Sequence, residues 1–566
     1  MKRTCTNSPV ASYWGVFAPC ASRRINDRLT PKSYRFAWAI LALVMQFSWG
    51  AAGAWAQTDR GTITGTISDP TGAFIQGAKV TATSIETGGV YDTVTTGTGN
   101  YTLPSLPAGH YNLSATAGGF SRYLQEGIEV QVAQTARIDV VLKIGTASET
   151  VTVQADAPLL KTENAEQSQT VTGDTINNLP LTLGGNNLYG ARNPLAGLTL
   201  APGAANIVGT NFQFRVNGNT DGARFLLDGQ DTTTQGMSSQ HLSESHPSVE
   251  ALQEVTLESS NFAAEYGQVQ GGLVNFTTRS GTNQFHGTAY DYYTNEFLNA
   301  GRPFTDNGRG GLVRPRQRNN DYGFSVGGPV WIPKLYDGRN KTFFFFNFDQ
   351  FRNNATVSGS ANTVPTNLYR LGNFSEALTG RVLGTDPLGR NILENQIYDV
   401  NTQRVVNGNV VRDPFPNNTI PVARMDPVAM KIQSYVPMPT GPGIVNNFAI
   451  VDKTGAYTTL PSLKIDQLIG SKTKISYYGG NWNNFTPKSA GDGLPWPISN
   501  TREFYTYTHT SRLTLDQTIT PTLLLHLAGG IVRYNHIDSS PDVSQSFDAP
   551  AQLGLVGGVP NFTGKT

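Results

Sequence analysis

The sequence predicts a mainly β protein, and three observations lead to this prediction. Charged residues make up 15% of the chain, whereas typical soluble proteins contain about 25%. Glycine is abundant, with 60 residues, and the chain also contains 22 tyrosines and 27 phenylalanines. Short runs of alternating apolar and polar residues recur along the chain between turn-forming residues, which is the pattern of β-strands.

Residues 1–56 are predicted to be a signal region. An apolar run at 36–55 follows Lys32 and Arg35 and ends at Ala54-Trp55-Ala56, which is the layout of a secretory signal with an A-x-A cleavage site. We expect cleavage near 56/57. The alternative is a membrane anchor, because the run approaches the about 20 residues that span a bilayer. Small residues at its end and the absence of a following basic cluster favour the signal.

Cysteine and charge counts narrow the class further. Cys5 and Cys20 are the two cysteines of the chain, and both precede the predicted cleavage site. The exported part would then lack disulfides, a cysteine nucleophile and cysteine metal ligands. With 42 basic and 41 acidic residues, no charge excess attracts nucleic acid. These features predict a bacterial envelope protein with no nucleic-acid partner.

Residues 58–145 are predicted to form a small antiparallel β-sandwich of about seven strands, since alternating runs and turn signals recur at the spacing of such folds. The runs lie at 62–68, 78–84, 111–117 and 137–142. The segment also resembles the carboxypeptidase regulatory-like domain, a transthyretin-like sandwich. The resemblance rests on GTITGTISDPTGA at 61–73, GAKV at 77–80, GNY at 99–101 and LPAGHY at 106–111. It implies no peptidase chemistry.

The stretch VEALQEVTLESSNFAAEYGQVQGGLVNFTTRSG at 249–281 joins a strand-like run to a glycine cluster and a second strand. It resembles the end of the plug domain in TonB-dependent outer-membrane receptors. FLLDG at 225–229 resembles a strand and turn of the same domain, in which Asp-Gly closes a hairpin. The resemblance implies that 171–281 is an α+β plug without a catalytic task. The matching motif residues are Asp228, Gly229, Glu254, Tyr266, Gly267, Gly271, Gly272 and Asn275.

Residues 146–170 are predicted to be a linker that contains a short partner-binding strand. The segment ETVTVQA resembles the TonB box, the extended peptide that such receptors offer to TonB, and alternating Thr and Val suit pairing with the edge of a partner sheet. The alternative is that it is the last strand of the sandwich or a plain linker. The residues concerned are Glu149, Thr150, Val151, Thr152, Val153, Gln154 and Ala155.

Residues 282–566 are predicted to form part of a transmembrane antiparallel β-barrel. Alternating spans have the about 9–11 residues of a tilted membrane strand, and they lie at 284–297, 321–330, 341–352, 472–481, 511–520 and 523–534. The motifs GGPV at 327–330 and KTFFFF at 341–346 resemble those of Oar-like TonB-dependent transporters. KIDQ at 464–467 with KIS at 474–476 resembles a barrel hairpin of that group. The stretch 353–446 is expected to form extracellular loops.

Two further expectations concern the barrel region: how much of a receptor the sequence covers, and where the run Phe343–Phe346 lies. A plugged barrel of this family has about 22 strands, so we expect the sequence to be a truncated receptor. The run Phe343–Phe346 could be a buried core strand, but Lys341 and Asp349 flank it, which favours an aromatic girdle at the membrane surface.

Catalytic and metal sites are not predicted, and no cofactor is expected. His241, Glu244 and His246 have a spacing found in some zinc sites, but their polar surroundings favour a solvated loop. His286 and His526 are interpreted as barrel side chains. Phosphate-binding, dinucleotide and nucleophile motifs are missing from the sequence.

The sequence therefore predicts a transthyretin-like sandwich, an α+β plug and a partial barrel in the outer membrane of a Gram-negative bacterium. The resemblance implies energy-coupled import of a large or scarce cargo, with TonB, an extracellular cargo and outer-membrane lipid as partners. The alternative is a non-transporting surface adhesin or a carbohydrate- or protein-binding envelope protein. A zinc hydrolase is a third class, which would need His241 as a metal ligand.

Overall fold

A computed structural model gives the fold of most of the chain after the predicted signal region. It describes residues 60–132, 134–146, 150–154, 166–179, 192, 194–206, 214–219, 223–233, 246–262, 266–267, 269, 271–298, 300–301, 303–305, 310–314, 316–358, 362–449, 451–470, 472–488, 494–495, 497–499, 502–520, 523–539 and 547–555. The predicted signal region with Cys5 and Cys20 lies outside these residues. Within them, no helix combines the length and apolar character needed to cross a bilayer.

The N-terminal part is a β-sandwich of two sheets. One sheet has the order β4-β1-β7, with β8 also paired to β1, and the other has the order β3-β2-β5-β6-β9. The strands are β1 Gly61–Ser68, β2 Lys79–Ser84, β3 Val90–Val94, β4 Asn100–Leu106, β5 Gly109–Thr116, β6 Arg122–Val130, β7 Thr135–Arg137, β8 Val140–Val141 and β9 Thr150–Gln154. The predicted sandwich is confirmed.

Strict alternation builds the core of the sandwich. Every second residue of β1 is buried, and Ile63 and Ile67 pack with Tyr101, Tyr111 and Leu113 between the sheets. The expectation of purely antiparallel pairing is wrong, because β7 and β8 run parallel to β1 and β9 runs parallel to β6. The chain crosses from one sheet to the other after β6, and a crossing strand is free of the antiparallel constraint that a tight hairpin imposes.

The middle domain, residues 166–278, has a five-stranded mixed sheet of order β10-β15-β16-β13-β14, in which β13 and β16 are parallel. A short helix spans Gly173–Asn178, where the hydroxyl of Thr172 caps the Thr175 amide, and 3₁₀ turns lie at Pro194–Leu200 and Val249–Ala251. The strands are β10 Gln167–Thr172, β11 Ala204–Asn206, β12 Phe214–Val216, β13 Ala223–Leu227, β14 Gln230–Asp231, β15 Leu252–Ser260 and β16 Gly272–Thr278. The mixture of helix and sheet agrees with the predicted α+β class.

The C-terminal part is a seven-stranded antiparallel sheet in which each strand pairs with the next along the sheet, in the order β17-β18-β21-β26-β27-β28-β29. These strands are β17 His286–Thr294, β18 Gln317–Pro329, β21 Thr342–Ser358, β26 Val451–Ile469, β27 Thr473–Lys488, β28 Glu503–Thr520 and β29 Leu523–Ser539. A small hairpin of β19 Trp331–Ile332 and β20 Tyr336–Asp337 lies between β18 and β21. This up-and-down order agrees with the predicted membrane barrel.

The predicted spans differ from these strands in two ways. The hairpin between 464–467 and 474–476 is confirmed, since Asp466 pairs with Ser476, but most of β26 was not predicted. The strands are also longer than expected, with 17 residues in β21 and 19 in β26. Their length follows from pairing, because β21 is bonded to β26 along its whole length. The thickness of the membrane alone therefore underestimates the length of these strands.

The Phe343–Phe346 run combines both of the interpretations given above. Phe343 and Phe345 are buried on the inner face. Phe344 contacts Phe285, and Phe346 contacts Phe324, on the opposite face of the sheet. Alternation therefore divides one aromatic run between the domain interface and an outer aromatic surface.

The stretch predicted as extracellular loops, 353–446, lies mostly in the connection between β21 and β26, which has regular structure of its own. Its first residues belong to β21. Two hairpins and several helical turns follow, since local hydrogen bonds and ion pairs order this polar sequence. They are β22 Val382–Thr385, β23 Asn391–Leu393, β24 Tyr398–Val406, β25 Asn409–Pro414, α-helices Asn367–Arg370 and Pro427–Tyr435, and 3₁₀ turns Ser375–Ala377, Pro416–Asn418 and Val422–Arg424. A last described helix spans Ala549–Leu553.

Candidate functional site

The candidate site is the boundary between the middle domain and the inner face of the seven-stranded sheet. At its centre is the turn between β13 and β14, where Leu227 pairs with Gln230. Asp228 and Gly229 have φ values of 47° and 78°, which is the positive-φ pair that a type I′ hairpin requires. The predicted Asp-Gly hairpin is confirmed, and its turn points the Asp228 side chain towards the sheet.

Asp228 connects the middle domain to strand β26. Its carboxylate accepts hydrogen bonds from the Thr278 amide at 2.8 Å and the Thr278 hydroxyl at 2.6 Å. The Lys464 ammonium lies 3.3 Å from the same carboxylate and donates to the Thr278 hydroxyl at 2.8 Å. Both charged side chains are nearly buried. Because a buried charge needs a partner, this pair constrains how the domain sits on the sheet.

Neighbouring strands extend this contact. Arg512 of β28 donates to the Leu227 carbonyl at 3.3 Å. Asp466 of β26 lies 3.2 Å from the Lys474 ammonium and accepts a hydrogen bond from Ser476 at 2.5 Å. The sheet thus places the cationic side chains of Lys464 and Arg512 next to the hairpin turn. The Asp466 carboxylate of the sheet is paired with Lys474 within the sheet itself.

A second polar group lies around Arg192. Its guanidinium is 3.0 Å from Glu250 within the middle domain and 3.6 Å from Asp321 of β18. It also lies 4.4 Å above the ring of Tyr290 and 4.3 Å above that of Tyr292, both in β17. Burial by itself lowers the pKa of Arg192, but Asp321 and Glu250 outweigh it, and the pKa is raised. Arg192 therefore stays cationic in this position.

Asp349 of β21 completes the second group. Its carboxylate accepts hydrogen bonds from the Ser248 hydroxyl at 2.7 Å and the Tyr290 hydroxyl at 2.9 Å. Ser248 belongs to the middle domain and Tyr290 to the sheet. The domain is thus held to strands β17, β18 and β21 by side chains as well as to β26 and β28.

His246 is part of this boundary, so its assignment to a solvated loop is wrong. The side chain is 4% exposed, and its Nδ1 atom donates to the Pro247 carbonyl at 2.9 Å. Burial lowers the pKa of His246 to about 4, because the charged imidazolium is poorly solvated there. His241 and Glu244 lie outside the described residues. Within the part of the chain that is described, no three His, Cys, Asp or Glu side chains are grouped as metal ligands.

His286 and His526, which the sequence analysis assigned to the barrel, differ in their surroundings. His526 is nearly buried, and its Nδ1 atom lies 2.5 Å from the Asp516 carboxylate. His286 is exposed, with its Nδ1 atom 3.0 Å from the Gln284 carbonyl. Both belong to strands of the sheet, as expected.

The sandwich contacts the other two parts at the end of the sheet where β28 joins β29. Arg60 donates to Asp516 at 2.6 Å, and the Val132 amide donates to the Glu254 carboxylate at 2.8 Å. The Asn283 amide donates to the Glu86 carbonyl at 3.1 Å. A cavity of about 120 Å³ lies at this junction, and it is lined by Arg60, Tyr91, Asp228, Lys464 and Asp466 among others.

Most of the other predicted motif residues pack inside the middle domain. Tyr266 packs with Leu226 and Leu273, and the Gly267 carbonyl accepts a hydrogen bond from Arg224 at 2.8 Å. Asn275 is buried in β16 opposite Thr256. These contacts position the strands that carry Asp228.

The two consecutive glycines of the motif lie at the start of β16. Gly271 is buried immediately before the strand. A Cβ atom on Gly272 would lie 2.9 Å from Val216 Cγ1 and 3.2 Å from the Glu258 carbonyl oxygen. Close strand packing therefore explains the glycine at 272 without a ligand.

Thr150–Gln154 form β9, the edge strand of the five-stranded sandwich sheet. Val151 pairs with Tyr123 and Val153 with Gln125 of β6. Among the described residues, β9 pairs with β6 alone, which leaves its other edge open. Glu149 and Ala155 lie outside the described residues. The segment is thus a strand of the sandwich, and its use as a TonB box stays a prediction.

Sequence reasoning missed Arg60, Arg192, Asp349 and Arg512 as boundary residues. One sequence signal could have found some of them, namely a charged residue at an inward-facing position of a predicted membrane strand. Burying such a charge costs free energy, so it normally has a partner. That signal identifies Asp349 and Arg512. It does not identify the partners, which lie far away in the sequence.

The comparisons with known proteins agree with this architecture. Residues 277–566 match the model of the outer membrane beta barrel domain, and residues 62–143 match that of the carboxypeptidase regulatory-like domain. The TonB-dependent transporter Oar of Myxococcus xanthus is 28% identical over 290 residues, which are 50% of this chain and 27% of Oar. The chain thus spans about a quarter of the length of this curated relative.

The solved structures to which this chain is similar include two from Escherichia coli. The outer membrane transporter YddB is 12% identical, with 64% of this chain and 38% of that chain covered and a TM-score of 0.37. The ferric-catecholate import receptor Fiu of strain K12 is 12% identical, with 66% and 49% covered and a TM-score of 0.30.

Proposed function

The chain belongs to the outer-membrane β-barrel domain family, and from this premise we propose that it acts in TonB-dependent transport across the outer membrane of a Gram-negative bacterium. In this proposal the middle domain is a plug, and TonB displaces it to admit an extracellular cargo. The proposed role is conformational, and we assign no catalytic residue.

The observation that carries the proposal is the kind of contact that joins the middle domain to the sheet. The two share no β-ladder among the described residues. They are joined by side-chain contacts such as Asp228 to Lys464 and Ser248 to Asp349. Individual contacts of this kind contribute about 0.5–3 kcal/mol, so they can be broken one after another while both folds remain intact. A removable plug needs this property.

The orientation of the sheet supports a periplasmic position for the sandwich. Three residues separate β26 from β27 and two separate β28 from β29, at the sheet end that carries the Arg60–Asp516 contact. The connections 295–316, 359–450 and 489–502 lie at the opposite end and are long. Outer-membrane barrels have short periplasmic turns and longer extracellular loops. We therefore place the sandwich in the periplasm and residues 359–450 outside the cell.

Strand β9 is the proposed contact for TonB. It is already extended, pairs with β6 alone among the described residues, and precedes the middle domain in the chain. A partner strand could add to its other edge by main-chain hydrogen bonds, which is a common mode of peptide recognition. Force applied to β9 would reach the middle domain through residues 155–165.

Photo-crosslinking in living cells tests this proposal. A photoreactive amino acid replaces Val153 of β9, which is 39% exposed, and in a matched control it replaces Val141 of β8, which is 53% exposed. We expect Val153 to cross-link to TonB and Val141 not to do so. Cross-linking at both positions or at neither would overturn the proposal, and an adhesin without a TonB partner gives the second result.

A further inference from the structure

We propose that an open cleft in the segment 359–450 binds an acidic peptide in extended form. This inference rests on the proposed transport function, because it names the class of cargo that would be transported. The cleft has a volume of about 800 Å³ and lies between the turn that joins β22 to β23 and the β24–β25 hairpin. Ligand sites commonly have volumes of about 300–1,000 Å³. The cleft is therefore large enough for several residues of a peptide.

A ladder of ion pairs holds the two hairpins at a defined separation. Arg390, next to β23, donates to Asp386 at 2.7 Å and to Asp413 of β25 at 2.6 Å. Arg404 of β24 donates to Asp413 at 2.8 Å. Hydrogen bonds from Arg404 and Arg390 lower the pKa of Asp413, so the ladder remains ionised. A site whose walls are connected in advance loses less conformational freedom when a ligand binds.

The charge that remains in the cleft is positive. Asp386 and Arg412 both line it, but Asp386 is neutralised by Arg390. Arg412 instead donates to the neutral Gln403 side chain, from Nε at 3.1 Å and from Nη2 at 2.8 Å. Its guanidinium thus adds a charge that the ladder does not balance. Guanidinium groups bind carboxylates through paired, charge-assisted hydrogen bonds, so the cleft favours an anionic ligand.

The other lining residues favour a peptide over a saccharide or a metal chelate. Ile392 and Val410 form apolar wall, and Thr385 and Asn409 supply hydrogen-bonding groups. Val410 is 62% exposed, so its side chain is accessible to a ligand in the cleft. Tyr398 supplies a single aromatic ring, whereas a saccharide would gain from several aromatic faces. One cation is also too few for a highly charged chelate.

The backbone of the hairpins fits an extended chain. Each hairpin is a separate two-stranded sheet among the described residues, so each has open edges that face solvent or the cleft. An extended peptide can pair with such an edge through its main chain and place alternate side chains on one side. A carboxylate on that side would meet Arg412, and the apolar side chains between would meet Val410 and Ile392.

Isothermal titration calorimetry on the purified protein in detergent tests the cleft. The ligands are acetyl-Val-Glu-Val-Glu-Val-amide, the same peptide with lysine for glutamate, and a linear trisaccharide of glucuronic acid. We expect the glutamate peptide to bind and the lysine peptide not to bind. Arg412→Gln should weaken binding about tenfold, the loss of one charge-assisted contact. The control Arg381→Gln, an exposed arginine of the same segment outside the cleft, should change it less than about twofold.

A second pair of variants tests the cleft by adding a negative charge instead of removing a positive one. Val410→Glu places an acid in the cleft and should abolish binding of the glutamate peptide. Val405→Glu makes the same change at the cross-strand neighbour, which is 70% exposed and lies outside the lining, and binding should persist. Both sites are exposed, so folding should survive in both.

Three results would overturn the inference: no binding of the glutamate peptide, equal effects of the two arginine changes, or binding of the trisaccharide in place of the peptide. The titration involves neither TonB nor an energised membrane. If the peptide binds but Val153 does not cross-link to TonB, the cleft stands and the transport proposal fails. If Val153 cross-links to TonB but the glutamate peptide does not bind, the transport proposal stands and the peptide inference fails.

Discussion

The Asp228 carboxylate and the Lys464 ammonium lie 3.3 Å apart across the boundary between the middle domain and the sheet. They are 236 positions apart in the chain. Thr278 hydrogen-bonds to both, so the three side chains form one buried network. The pair holds the middle domain in place through an interaction that is strong only while water is excluded.

Replacing Lys464 with methionine should loosen the middle domain, because it leaves the Asp228 charge buried with Thr278 as its remaining partner in this network. Loss of one partner of a buried pair costs about 3–5 kcal/mol, and the Thr278 bonds should reduce this loss. We expect faster protease cleavage of the middle domain in membrane vesicles. Lys341→Met, at an exposed lysine immediately before β21, is the matched control.

The double variant Asp228→Asn/Lys464→Met tests whether the faster cleavage of Lys464→Met arises from the broken ion pair. The asparagine removes the uncompensated charge, so cleavage should slow relative to Lys464→Met alone. If the double variant is cleaved at least as fast as the single one, the pairing does not hold the domain.

Gly272→Ala should destabilise the middle domain by about 1–3 kcal/mol, as expected for overpacking. The new Cβ would lie 2.9 Å from Val216 Cγ1. The measurement is the urea concentration at which the middle domain becomes protease-sensitive. Gly267→Ala is the control, because among the described residues no heavy atom beyond its chain neighbours lies within 4 Å of its Cβ position. Val216→Ala should partly rescue Gly272→Ala, and a lack of rescue would rule out this contact as the cause.

Arg60→Gln should weaken the contact between the sandwich and the sheet, since Asp516 would lose its 2.6 Å ionic partner. The Val132 amide, which donates to Glu254 across the sandwich boundary, should then exchange its hydrogen faster. Hydrogen exchange followed by mass spectrometry measures this peptide. Arg137→Gln removes an arginine that pairs within the sandwich with Asp139, and it should leave the exchange unchanged. Equal exchange in both variants would show that Arg60 does not hold the sandwich.

The middle domain should lose stability as the pH falls below about 6.5. His246 has its pKa lowered to about 4 by burial, so the unfolded chain binds a proton at a higher pH than the folded chain does. Stability therefore declines from about pH 6.5 to about pH 4, and His246 accounts for about 2 kcal/mol of the loss between pH 7 and pH 5.

Comparing urea midpoints of the parent and His246→Asn at the two pH values measures this contribution. Asparagine keeps a donor for the Pro247 carbonyl but does not titrate in this range. The variant should show the smaller decline. Identical declines in the two proteins would mean that His246 is not the titrating group.

Local sequence patterns predicted where strands and turns lie more fully than they predicted which distant residues contact them. The alternation in β1 and the Asp228-Gly229 turn follow from side-chain period and backbone sterics, which a short stretch of sequence contains. By contrast, most of β26 was missed, because its polar inner face is stabilised by the middle domain and neighbouring strands. His246 was misassigned for the same reason: polar neighbours in the sequence suggested solvent, while Pro247 and Ser248 place it at the domain boundary.

The sequence by itself determined that the protein is built of β-strands, where its hairpins turn, and that a sandwich precedes a mixed domain and membrane-type strands. These properties depend on residues close together in the chain. The tertiary structure decided that β9 pairs with β6, that Asp228 meets Lys464, and that Arg60 meets Asp516. Such contacts depend on which distant surfaces exclude water together, and that is a property of the folded chain as a whole.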